Sequence, residues 1–210
     1  MTVGVSALEA QTAAYEAAKA AKNTAKMAKA SQALLAHWPN SKVKPNQACP
    51  INTPRYGKRP EDASQFKATV RWQPGQDSIV AVVDVTDANF SVNPDEPHKA
   101  SSIALFFAPS GFDDTRINYV IAPSGPEDAP LVNSTGGGPI KATWKRTDTG
   151  YQVTAKVPYA SIPGCNKNWK SMPVDLMVNT KTPKGRCALV MGNGGTPWQA
   201  AATYLMLLRK

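Results

Sequence analysis

The chain has 210 residues, of which 42% are hydrophobic and 19% charged, which suits one globular domain with an appendage. Its net charge of +9 is uneven, because residues 1–60 carry +7 and residues 61–210 only +2. This distribution argues against a uniform nucleic-acid-binding surface. No stretch of about 18 apolar residues occurs, so we expect neither a nucleic acid nor a membrane as partner.

Residues 1–38 are predicted to contain one long basic helix, over residues 6–37. Ser6 and Glu9 form a candidate capping box at its start, and Ala, Lys, Glu and Gln dominate the remainder of the segment. The helix is expected to end near Trp38, because Pro39 disfavours helical geometry in the residue before it. Its lysines share one face at three- and four-residue spacing, namely Lys19, Lys22, Lys26 and Lys29.

Residues 39–63 are predicted to be a connector, because five prolines lie between Pro39 and Pro60. Beyond it, apolar and polar residues alternate in short segments separated by Pro- and Gly-containing turns. The predicted strands are 69–72, 78–85, 102–108, 116–122, 141–145, 151–157, 174–179, 187–191 and 204–208. No helix-length segment interrupts them. Residues 64–210 are therefore predicted to form an antiparallel β-sandwich, so the whole chain is all-β with an N-terminal α-helix.

The three cysteines, Cys49, Cys165 and Cys187, predict neither a disulfide framework nor a zinc site, because their number is odd and no Cys-x-x-Cys pair occurs. One Cys165–Cys187 bridge and three free thiols both remain open. The first ten residues do not have the pattern of a signal peptide.

The sequence offers little to a catalytic mechanism, since it contains only two histidines, His37 and His98, and none of the common nucleophile or phosphate-binding motifs. Two carboxylate pairs, Asp84 with Asp87 and Asp113 with Asp114, are the candidates for glycoside hydrolysis. Neither pair has an enzyme-like context. We therefore expect no catalysis and no cofactor, with a calcium site on these acids left open.

Tryptophan is the residue type that points to a ligand. Trp72 and Trp144 lie in alternating segments and are predicted to belong to the core. Trp198 follows Gly-Gly-Thr-Pro in a predicted loop, where an exposed ring suits the apolar C–H face of a sugar.

The order of these elements over about residues 64–210 resembles the family-nine carbohydrate-binding modules, which are attached to bacterial xylanases and related polysaccharide-active proteins. In the family, an opening strand pair ends in a variable residue and Asp, and later elements read Asp-Ser-Val-Glu-Ile-Phe and Gly-Tyr-x-Val-Glu-x-x-Ile-Pro-Trp. The matching segments here are Ala68–Trp72, Ile79–Asp87, Ser101–Phe107, Arg116–Tyr119 and Gly150–Tyr159.

The resemblance implies that Trp198 stacks on the sugar and that Arg116, with Asn118 two residues later, donates hydrogen bonds to it. His98 stands where the family has a second stacking Trp and is expected to make an edge contact. The family's other polar ligands are replaced. Ala104 and Thr154 stand where the family has Glu, and Met177 stands where it has Gln.

The resemblance therefore implies a non-catalytic module that binds a polysaccharide or oligosaccharide weakly, by aromatic stacking. It also implies an extracellular or periplasmic location and an ancillary role beside a glycoside hydrolase or similar protein, with the N-terminal helix at the junction to an upstream domain. The alternative is a structural or protein-interaction sandwich whose sugar site has decayed.

Overall fold

The computed structural model describes residues 17, 42–57, 60, 62–109, 117–125, 130–165, 168–192 and 205–209. The helix predicted over residues 6–37 lies outside these ranges, except for Ala17, which is exposed and helical. Within the described ranges, no helix is long and apolar enough to cross a membrane. The described residues are organised as two β-sheets with three short 3-10 helices at their ends.

Thirteen strands of the described residues, numbered β1 to β13, form the two sheets. They are Lys42–Val43, Ala48–Ile51, Thr53–Tyr56, Phe66–Pro74, Ser78–Asp87, Ser102–Phe107, Ile117–Pro123, Pro130–Thr135, Lys141–Thr147, Gly150–Pro158, Ser171–Thr182, Gly185–Val190 and Leu205–Leu208.

The larger sheet has eight strands and the smaller has five. In the larger sheet the order is β1-β13-β11-β6-β7-β8, with β12 paired to β11 and β3 paired to β12. In the smaller sheet the order is β2-β4-β5-β10-β9. Every pairing is antiparallel except that of β1 with β13. The predicted antiparallel sandwich is therefore confirmed.

The core lies between the two sheets and follows from the alternation in each strand. Aromatic rings connect its two halves. Trp72 of the smaller sheet meets Phe107 of the larger one edge to face, with ring centroids 5.9 Å apart, and Phe107 meets Tyr119 in the same way at 6.1 Å. Trp72 and Trp144 are both buried in this core, as the sequence predicts.

A buried carboxylate also joins the sheets at one end. Asp87, the last residue of β5, accepts hydrogen bonds of 2.7 Å from the hydroxyls of Ser101 and Thr180. Thr180 belongs to β11 in the other sheet. Burial raises the pKa of Asp87, although these hydrogen bonds act in the opposite direction. The adjacent strand must come very close here, because a Cβ on Gly150 would overlap the carbonyl oxygen of Val85.

Residues 42–56, which the sequence places in the connector, form three strands instead. β1 and β3 pair with the larger sheet and β2 pairs with the smaller one. Among the described residues each of these strands has a single neighbour, and an edge strand tolerates proline because one side of it makes no ladder hydrogen bonds. The prolines of β2 and β3 therefore mark edges, and residues 42–56 contribute strands to the sandwich. β8, another edge strand with a proline, is also absent from the predicted strands.

The three cysteines form no disulfide. Cys187 points into the core from β12, whereas Cys165 is half-buried after the third 3-10 helix, Tyr159–Ser161. The sequence leaves open a Cys165–Cys187 bridge or three thiols, and the structure has the three thiols.

The contribution of β2 to the core can be tested with Ile51→Ala. Ile51 is fully buried, so removing three carbons should lower the free energy of unfolding by roughly 2–5 kcal/mol. The matched control is Val92→Ala, because Val92 is 38% exposed and should change stability by about 0.5 kcal/mol or less. Urea denaturation measures both. Equal, small effects would show that β2 is not part of the cooperative core.

Candidate functional site

Three of the positions that the resemblance assigns to sugar binding, Ala104, Met177 and Asn118, lie in the larger sheet, whereas Thr154 lies in the smaller one. Inward-facing residues of β6 and β11, such as Leu105 and Leu176, belong to the core between the sheets. The residues between them point to the opposite face. The registers bring Ala104 beside Met177, and Phe106 beside Asp175.

The centre of this outer face is apolar and closed. Ala104 is 1% exposed and Met177 is 4% exposed, although both lie outside the core between the sheets. Phe106 and Val190 on the same face are also buried. The two positions where the resemblance implies Glu and Gln are neighbours here, but neither offers a polar group or an open surface.

Two of the four predicted site residues lie in the described part of the chain. Asn118 is half-buried in β7 and pairs with Phe106. His98 is exposed in the 3-10 helix Pro97–Lys99, which precedes the start of β6 at Ser102. They thus lie near opposite ends of β6, and the structure does not bring them together. Trp198 and Arg116 lie outside the described residues.

His98 has a positively charged neighbour instead. Partial desolvation and the charge of Arg186 lower the pKa of His98, with Glu96 acting in the opposite direction. The imidazole is therefore mostly neutral at pH 7, and it is available to donate or accept one hydrogen bond at each ring nitrogen.

A polar cluster that the sequence analysis does not identify lies at the same end of the outer face. Arg186 donates to the Oδ1 atom of Asn179 from Nη2 at 2.8 Å and from Nε at 3.2 Å. Its guanidinium carbon lies 4.5 Å from the ring centroid of Tyr56. We call Arg186, Asn179 and Tyr56 the guanidinium cluster. A polar Asn179 directly after the apolar run Leu176–Val178 is the sequence signal that marks it.

Asp84 and Asp87, one of the two carboxylate pairs in the sequence, face opposite sides of the smaller sheet. Asp84 lies on the outer face of the smaller sheet, 2.9 Å from Arg71, and accepts a hydrogen bond from Gln152. Asp87 is three residues further along β5 and faces inward. Asp113 and Asp114 lie outside the described residues. Within the described ranges, no three His, Cys, Asp or Glu side chains are grouped as metal ligands.

Asp175 marks the point where β11 changes partner. Ser171–Val174 pair with β13, whereas Met177–Thr182 pair with β12. At this break the Oδ1 atom of Asp175 accepts hydrogen bonds from the backbone N–H of Leu176 at 2.7 Å and of Gly192 at 2.9 Å. Asp175 thus holds Gly192, where the chain leaves β12. Gly192 lies six residues before Trp198 in sequence.

The second oxygen of this carboxylate, Oδ2, is buried and has no hydrogen-bond partner. Burial raises the pKa of Asp175 to about 7, and the backbone N–H donors offset only part of that effect. Asp175 is therefore substantially protonated near neutral pH, and its ionisation destabilises the native state.

Comparison with known proteins identifies the fold. No family model and no curated protein matches the sequence. A family 9 carbohydrate-binding module from Caldicellulosiruptor kristjanssonii, solved in complex with cellotriose, is similar with a TM-score of 0.62 and 12% identity, over 80% of this chain and 91% of that one. A structure of a family 9 module from the same organism, in complex with glucose, gives a TM-score of 0.63 and 13% identity, over 80% and 95% of the two chains. The chain has the fold of a family-nine carbohydrate-binding module.

A third similar structure is a Bacteroides uniformis protein assigned provisionally as carbohydrate-binding, with a TM-score of 0.56 and 12% identity over 77% of this chain and 85% of that one. The TM-scores of 0.62 and 0.63 show the shared fold, whereas identities of 12–13% do not show a shared site. The recognition chemistry therefore has to be argued from this chain's own residues.

The buried charge of Asp175 can be tested with Asp175→Asn. The amide oxygen keeps both N–H hydrogen bonds, and the amide does not ionise. The native carboxyl has a pKa of about 7 against an ordinary 3.8, so the wild type loses stability as the pH rises from about 4 to about 7. That loss is on the order of 4 kcal/mol at most. The variant should therefore have the higher Tm at pH 8, with a difference that shrinks towards pH 4.

The control for this prediction is Asp95→Asn, because Asp95 is exposed. Its Tm should follow that of the wild type across the same pH range. A difference between Asp175→Asn and wild type that does not change with pH would show that Asp175 ionises normally in the native protein.

Proposed function

We propose that this protein is a non-catalytic carbohydrate-binding module that binds an oligosaccharide weakly by aromatic stacking. The observation that carries the proposal is the similarity in fold, over 80% of the chain, to two family-nine modules solved with cellotriose and with glucose. Neutral glucose-based oligosaccharides are therefore the first ligands to test. Polysaccharides of this kind are encountered outside the cytoplasm, so the proposal includes an extracellular or periplasmic location and attachment to an upstream domain.

Trp198 is the proposed stacking residue, with Arg116 and Asn118 as hydrogen-bond donors. The described tryptophans support this choice, because Trp72, Trp144 and Trp169 are all buried in the core. None of these three rings is free to meet a sugar. Gly192, which lies six residues before Trp198 in sequence, is held by Asp175 through its N–H.

The environment of the described acids supports a binding role over a catalytic one. Hydrolysis of a glycoside needs two carboxyl groups that flank one bond. Asp84 is engaged with Arg71, while Asp87 and Asp175 are buried with backbone or hydroxyl donors. We propose accordingly that the module needs no cofactor and assists a polysaccharide-active partner.

A second candidate function is a structural or protein-interaction sandwich that no longer binds sugar. The closed outer face favours it, because Ala104 and Met177 replace the polar groups that the family uses and are themselves buried. The two candidates differ in one measurable respect, which is whether the protein binds any free oligosaccharide.

Trp198→Ala is the direct test of the stacking proposal. Stacking of this kind contributes on the order of 1 kcal/mol, so the variant should bind cellotriose and glucose at least about fivefold more weakly. Isothermal titration calorimetry is the suitable measurement, since the substitution removes a fluorophore. The Tm should change little because the predicted position is a loop.

Trp198→Phe is the matched control, because it keeps a ring and should retain part of the affinity. Wild-type affinity in Trp198→Ala would show that the sugar binds elsewhere. A wild-type protein that binds no member of a glycan panel would contradict the proposal and support the interaction domain.

A further inference from the structure

Arg186 is a half-buried cation without a carboxylate partner among the described residues. Its hydrogen bonds go to the neutral amide of Asn179, and its Nη2 atom also lies 3.9 Å from the sulfur of Met177. Burial lowers the pKa of Arg186, which indicates that its desolvation is not balanced by an opposite charge. The Nη1 atom donates to no acceptor in the described part of the chain.

The guanidinium is held in one orientation. Asn179 is fully buried, and its Nδ2 donates to the Ser102 hydroxyl at 3.1 Å, so the amide oxygen that binds Arg186 has a fixed position. The guanidinium carbon also lies over the ring of Tyr56, 4.5 Å from its centroid, which is a cation–π contact. A guanidinium that is already immobilised loses little entropy when it binds a ligand.

No described carboxylate forms an ion pair with Arg186. The guanidinium carbon of Arg55 lies 4.9 Å from the Tyr56 ring, and the charge of Arg186 lowers the pKa of His98. Glu96, which precedes the 3-10 helix Pro97–Lys99, is bonded to Lys99 at 2.6 Å. The charge of Arg186 itself therefore favours an anion over a neutral group.

The guanidinium cluster adjoins the face that carries the proposed sugar site. Asn179 is two residues beyond Met177 on the same face of β11, a step of about 7 Å. Because Met177 and Ala104 are buried, a group bound at Arg186 would lie beside this closed part of the face rather than over it.

We propose that Arg186 forms a subsite for the anionic group of an acidic sugar, either a uronate carboxylate or a sulfate ester. This inference rests on the proposed function, since it assigns a ligand class to the same face. Arg is suited to the task because its planar fork matches the two oxygens of such a group. Asn179 and Tyr56 are positioning residues, and His98 is placed to hydrogen-bond a neighbouring hydroxyl.

The experiment compares matched ligands on the full chain at physiological salt. The neutral ligand is cellotriose, the second ligand is the same trimer oxidised at C6 to the uronate, and the third is the trimer sulfated at C6. The wild type should bind at least one anionic trimer about tenfold more tightly than cellotriose, which is the size expected of a charge-assisted hydrogen bond. The second and third ligands distinguish carboxylate from sulfate.

Arg186→Gln should remove this preference and leave the affinity for cellotriose within about twofold. Lys145→Gln makes the same change of charge on an exposed residue of the smaller sheet and should leave all affinities unchanged. Arg186→Lys keeps the charge without the fork and should retain part of the preference. If Arg186→Gln does not fold, Arg186→Lys still tests whether the guanidinium causes the preference.

Equal binding of neutral and anionic trimers by the wild type would overturn the inference while leaving the proposed function intact. So would a preference that persists in Arg186→Gln, or one that Lys145→Gln removes equally. A loss of cellotriose binding in both Arg186 variants would also overturn it, because Arg186 would then act only in the structure of the face. If the wild type binds none of the three trimers, the proposed function fails as well.

Discussion

The twelve-residue strand β11 is the element around which the rest of the fold is arranged. It pairs with β6 on one side, and on the other side with β13 along its first part and β12 along its second. One strand edge cannot be shared without a break in the ladder. Asp175 fills that break with a carboxylate oxygen that accepts the N–H of Gly192. This hydrogen bond fixes the position of Gly192, where the chain leaves β12.

The same strand divides the outer face of the larger sheet into two chemically different parts. Around Met177 the face is apolar and buried, whereas around Asn179 it is polar and carries a guanidinium. A sheet alternates its side chains with a period of two, so both parts belong to one continuous surface. The proposed recognition of an anion belongs to the second part, which carries the guanidinium.

A family-nine fold at 12–13% identity is physically reasonable. The sandwich requires apolar residues at alternate positions, and many combinations of Val, Ile, Leu and aromatic residues satisfy that requirement. A sugar site instead requires a few particular side chains. The fold therefore tolerates substitutions that abolish or relocate the site, and Ala104, at a position where the resemblance implies Glu, would be such a change.

Strands with strict alternation could be predicted from the sequence alone, because burial on one face is encoded locally in segments such as 78–85 and 151–157. The core positions of Trp72 and Trp144 followed from the same pattern. The edge strands β2, β3 and β8 could not be predicted, since each contains a proline, which a strand tolerates at an edge. The strand β1 has only two residues, too few to show an alternation. The guanidinium cluster also forms only through the tertiary structure. Tyr56 is 123 residues before Asn179 in sequence, and only the pairing of β3 with β12 and of β12 with β11 brings Tyr56, Arg186 and Asn179 into contact.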